Sequence, residues 1–237
     1  MSTADLSYLS ILTNIIAAPA RAFAALRERP TSWLPLMILI VVYAAVSFAY
    51  TSSVDLAWMF DQQFQQVQSM TDADREQAVK NAMRLSPAVL GVFGALGAAI
   101  IIPLLFALLS LYYSSVSFVT GDGVSYKHWF SLASWCAIPV LFGLLATLVH
   151  VLAGDARFMR QEELNPFSFG NLLSIDMTGV TRAQRALLGL DPTLIWSVVL
   201  SIMGYQAFTK RSLAFSAGIV LAPILLIVAI IAAFALR

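Results

Sequence analysis

The chain has 237 residues, 59% of them hydrophobic and 11% charged, with a formal net charge of +1. Water-soluble domains carry about 25% charged residues, so this composition excludes a soluble globular enzyme, a disordered protein and a nucleic-acid binder. The one cysteine, Cys136, permits neither an internal disulfide nor a thiolate metal site.

The N-terminal segment is amphipathic. Leu12, Ile15, Ile16, Pro19, Phe23 and Leu26 recur at helical spacing beside Arg21, Arg27 and Arg29. That pattern predicts an interfacial helix within residues 1–32, with its apolar face in the acyl boundary. Pro19 is expected to kink or restart it. The first apolar run begins only at residue 33 and lacks a small-residue cleavage motif, so it is expected to stay in the mature protein.

A membrane-crossing helix needs about 20 apolar residues. Five segments approach or meet this: about 33–50, 88–113, 129–152, 193–208 and 213–236, the fourth being the shortest. None contains Asp, Glu, Lys or Arg. Backbone groups in lipid must pair internally, so each is predicted helical. The expected fold is an all-α, polytopic integral membrane bundle of five transmembrane helices, residues 33–237, plus the N-terminal helix. Two long loops, 51–87 and 153–192, carry their own apolar stripes and are expected to fold back on the bundle. In the first, Leu56, Phe60, Phe64 and Val67 share a stripe, and Thr71 with Asp74 resembles a capping box. In the second, Thr181 and Gly189 mark the ends of a short helix.

Arg21, Arg27 and Arg29 precede the first span, and Lys127, Lys210 and Arg211 lie in the short turns. Lys and Arg near span ends mark the cytoplasmic side. The expectation is a cytoplasmic N-terminus and an outward C-terminus. Ala-rich spans without cysteine pairs fit a bacterial inner membrane.

Chemistry is sparse. His150, near the end of the third span, is the one titratable candidate of its kind in the spans. It stands 22 positions from His128, with no metal-ligand spacing. No nucleophile elbow, Walker loop or dinucleotide fingerprint occurs, and Gly121-Asp122-Gly123 is a turn signal. The reading is not an enzyme, with no cofactor and no metal. Pro103, Pro139 and Pro223 lie inside spans, where they bend helices. Gly91, Gly94, Ala95, Gly97, Ala98 and Ala99, and again Ala217, Gly218 and Ala222, form small-residue faces that allow helix contact within the chain or in a homo-oligomer.

Three stretches carry a family likeness: "IIAAPARAFAALRERPTSWLPL" with Pro19 and Phe23; "GDGVSYKHWFSLASWCAIPVL" with Gly121, Gly123, Tyr126 and Pro139; and "LDPTLIWSVVLSIMGYQAF" with Trp196 and Gly204. Together they resemble the bacterial branch of the Yip family, membrane proteins named for interaction with Ypt/Rab GTPases. The D-L-Y-G-P motif of the eukaryotic branch is absent. The resemblance implies five spans, a cytoplasmic N-terminus, and a non-enzymatic role through protein or lipid contacts. The leading expectation is an adaptor or scaffold with membrane lipid and a membrane or cytoplasmic protein as partners. Its candidate contact or structural residues are Pro19, Phe23, Gly121, Gly123, Tyr126, Pro139 and Trp196. The alternative is a carrier or channel for a small apolar or lipid-like solute, with Pro103, Pro139 and Pro223 framing a cavity and His150 at its mouth.

Overall fold

A computed structural model describes residues 7–65, 67, 69–175 and 180–235. The predicted segment 1–32 is therefore described from Ser7 and the last predicted span up to Ala235; the rest of each lies outside the described residues. Among those described there is no strand, and the protein is an all-α polytopic helical bundle.

The N-terminal segment is two helices, α1 (Tyr8–Ala17) and α2 (Pro19–Glu28). Ser7 caps α1 by accepting from Ser10 N. Pro19 stands at the start of α2, where its missing N–H costs nothing. Of the predicted stripe, Ile15, Phe23 and Leu26 are buried and Leu12, Ile16 and Pro19 half-buried; Ile11, Ala22 and Ala25 are buried beside them, and the face packs on protein. Residues 30–32 then lead into α3 (Trp33–Ser53), which crosses to the opposite end of the bundle.

The first long loop folds into α4 (Leu56–Gln65) and α5 (Asp72–Ala82). Thr71 caps α5 by accepting from Asp74 N, and Lys80 donates to Glu76, holding that carboxyl below its usual range. Helix α6 (Pro87–Thr120) has 34 residues, about 51 Å at 1.5 Å per residue. It outruns a hydrocarbon core of roughly 30 Å and extends past the predicted end at residue 113. In its last turns Phe118 and Val119 are exposed while Ser117 is buried against the bundle.

The third predicted span, 129–152, is not one helix. It divides into α7 (Tyr126–Cys136) and α8 (Val140–Ala153), separated by turns at Ala137, Ile138 and Pro139. Pro139 cannot donate, and Ile138 N turns back to Trp135 O in a tighter bond. The second long loop adds α9 (Phe169–Leu172) and α10 (Arg182–Leu188), the latter with Thr181 and Gln184 as a capping box. Helices α11 (Pro192–Thr209) and α12 (Leu213–Ala235) complete the chain.

Among the described residues four segments are long and apolar enough to cross a membrane: Trp33–Ser53, Pro87–Thr120, Tyr126–Ala153 and Leu213–Ile230. The predicted fourth span, 193–208, is the 18-residue α11, which is outside that set. Its Leu200, Gly204, Tyr205 and Phe208 are buried in the core.

Two cores hold the bundle. One, at the end carrying the Arg and Lys turns, unites α1, α2, α7 and α11 around Phe23, Trp129, Leu132, Trp135, Tyr205 and Phe208. The other, at the end carrying the long loops, gathers Tyr50, Val54, Leu56, Met59, Phe60 and Val151. Outward-facing Leu104, Leu105, Leu108 and Leu111 of α6 stay exposed, as a lipid-facing belt requires. The small face of α6 serves packing inside the chain: a Cβ at Gly91 would meet Phe48 at 2.5 Å, and one at Gly94 would meet Ser47 Oγ at 1.9 Å.

Candidate functional site

The basic end is assembled from three separated segments. Arg27 donates to the carbonyls of Ala207 and Phe208, which the end of α11 leaves free. Thr31 O accepts from Ser131 Oγ at 2.7 Å and from Trp135 Nε1 at 2.7 Å. His128 accepts from Ser125 Oγ through Nδ1 and donates to Arg27 O through Nε2. Arg211 reaches Asp122 at 2.8 Å and Thr120 O at 2.6 Å, closing the 121–125 turn onto the α11–α12 turn. Arg21, Arg29, Lys127 and Lys210 stand exposed on the same end.

The predicted contact residues separate by environment. Phe23 is 1% exposed and lies against Gly204 and Leu132, so it positions α2 from inside. Pro19 starts α2 and Pro139 is buried in the break. Gly121 (φ 72°) and Gly123 (φ 67°) supply the left-handed backbone that ends α6 and turns the chain. Tyr126 is exposed, stacks on Phe130 and reaches Ala107 O. Trp196 stacks on Phe142 at 5.8 Å, away from the basic end.

Two cavities flank the start of α8, with Val140 and Asp191 lining both. One, about 570 Å³, is almost wholly apolar and lies between α6, α7, α11 and α12, lined by Phe106, Leu109, Cys136, Val198, Val220 and Pro223. The other, about 550 Å³, lies at the loop end between α3, α4, α6 and α8, with Tyr43, Ser47, Tyr50, Thr147, Asn165 and Asp191 in its wall. Both volumes fall in the usual range for ligand sites, about 300–1,000 Å³.

Of the predicted cavity residues, Pro223 lines the apolar cavity. Pro103 lies within an unbroken α6 and lines neither one. His150 lies elsewhere. Its Nδ1 donates to Leu164 O at 3.2 Å, tying the second loop to α8, and it stands at neither cavity. Sequence reasoning missed Asp191. It precedes the span rather than lying in it, and its only signal was an Asp-Pro pair suited to open a helix. Among the described residues no cluster of His, Cys, Asp and Glu could hold a metal.

The family model of the Yip1 domain matches residues 13–235. No curated protein and no solved structure matches the chain.

Proposed function

The chain belongs to the Yip family, and from that premise we propose a non-enzymatic integral membrane protein that acts as an adaptor or scaffold at its basic end. The reading takes five spans, with α11 as the fourth, and, from the Lys and Arg near the span ends, the N-terminal segment 1–32 and the two short turns in the cytoplasm and loops 51–87 and 153–192 outside. In a bacterium that membrane would be the inner membrane. The observation that carries this reading is the joining of α2, the 121–125 turn and the α11–α12 turn into one surface, fixed by Arg27, His128 and Arg211. Exposed cations beside an exposed Tyr126 suit an acidic partner or anionic lipid headgroups.

In-cell photocrosslinking from Arg21 and Tyr126 tests it. A reproducible protein partner, lost when Arg29 and Lys210 are both made Glu, is the expected result. Crosslinks only to lipid or to a second copy of the chain would remove the adaptor role.

The apolar cavity supports a second reading, a carrier for an apolar or lipid-like solute. Flux of such a solute into liposomes, blocked by Val220→Trp, would favour it.

A further inference from the structure

The cavity at the loop end has a chemistry that neither role uses. Asp191 is 6% exposed, yet none of the ion pairs among the described residues includes it. Among the described residues no Lys or Arg lines the cavity. Oδ1 is committed to its own helix, accepting from Thr193 N at 2.7 Å, from Leu194 N at 3.3 Å and from the Thr193 hydroxyl. Among the described residues Oδ2 accepts one bond, from Asn165 Nδ2 at 2.6 Å. A carboxylate oxygen has two acceptor sites, so Oδ2 keeps one. Gly143 leaves that oxygen uncovered on the α8 side, since a Cβ there would lie 2.9 Å from it. The N-terminus of α11 offsets only roughly half an elementary charge. The site therefore keeps a net negative charge away from bulk water, where uncompensated charge is costly.

The same cavity is lined by Tyr43, Tyr50 and Phe60, with neutral hydrogen-bonding groups at Ser47, Thr147 and Gln161. A buried carboxylate, aromatic rings and no competing cation are what an ammonium group requires: a counter-charge and π faces together. An anionic group would meet Asp191 with no cation to offset it. Exposed Gln63 and Gln161 mark the mouth, on the side of the long loops. We propose that this cavity binds an organic ammonium group, carried by a phospholipid headgroup or by a free amine.

The test uses the full chain in nanodiscs of phosphatidylglycerol, a lipid whose headgroup carries no amine. Phosphatidylethanolamine is added and its retention read by native mass spectrometry; ethanolamine and choline are titrated separately and read by thermal shift. Wild type is expected to retain the lipid or to be stabilised saturably by a free amine. Retention without free-amine binding assigns the headgroup source, and saturable free-amine binding assigns the solute. Asp191→Asn keeps a capping oxygen but not the charge and is expected to bind at least about ten-fold more weakly. Tyr43→Leu, at an exposed position clear of the cap, is expected to weaken binding by about three- to ten-fold, and it decides the matter if Asp191→Asn does not fold. Absence of both lipid retention and amine binding in wild type would overturn the proposal. So would equal binding by wild type and the variants.

Discussion

A Cβ at Gly204 would lie 2.2 Å from Leu132 Cδ1 and 2.9 Å from Phe23 Cε1. That missing methyl is what lets α2 seat against α11 and α7. Gly204→Ala is expected to destabilise the protein by about 1–3 kcal/mol through overpacking, and Phe23→Ala by about 3–5 kcal/mol through the void it leaves. Denaturant unfolding in detergent reads both. The double variant should lose less than their sum, because each relieves the other at one contact; strict additivity would deny that the two residues touch. A second residue-scale case is Asp122, whose side chain is 2% exposed, while that of its partner Arg211 is 42% exposed. Removing the guanidinium strands a buried carboxylate. Arg211→Ala should therefore cost about 1–3 kcal/mol, and adding Asp122→Asn should recover part of it.

At the scale of elements, the third span shows what a sequence can and cannot disclose. Its apolar run was legible from hydropathy, though its helix starts at Tyr126, three residues before the predicted 129, and the caps at Thr71 and Thr181 were legible from their capping residues. Pro103 and Pro223 sit in continuous helices, whereas Pro139 lies where α7 stops and α8 begins. Composition cannot separate these outcomes, because the neighbours decide whether freed backbone groups find new partners. Here the segment 137–139 closes on itself through short-range bonds, with Ile138 N on Trp135 O and Val140 N on Ala137 O. Such bonds open more readily than an α-helical ladder between packed helices. Hydrogen exchange of the full chain in micelles should find the amides of Ile138, Val140 and Leu141 less protected than those of Leu109, Ser110 and Tyr113. Equal protection would mean that the break is locked by its surroundings.

For the whole molecule, the bundle was readable because lipid forces helices, while the side of each turn is an expectation from charge that the structure leaves to experiment. The sites were not, since they depend on distant segments meeting. Asp191 with Asn165, and Phe23 with Gly204, are tertiary facts that no local pattern announces. Topology has a direct check. The sole cysteine, Cys136, is buried, so Cys136→Ala provides a background for labelling at Lys127→Cys and Gln63→Cys. With an impermeant maleimide on intact cells, Gln63→Cys should label and Lys127→Cys should not; the reverse pattern would invert the orientation.

The seating of α2 also sets an order of events during synthesis. Its seat is built from α7 and α11, and its bond from Arg27 to Phe208 spans 181 positions. At a ribosomal rate of roughly 5–20 residues per second, that is a wait of about ten to forty seconds. Until α7 emerges the stripe of Ile11, Ile15, Phe23 and Leu26 lacks its seat, and the seat stays incomplete until α11 follows. The growing chain must park those side chains on the bilayer surface or on a chaperone, then exchange that shelter for α11. Nascent chains halted before α11 emerges should keep the segment open to protease, and release past Phe208 should close it.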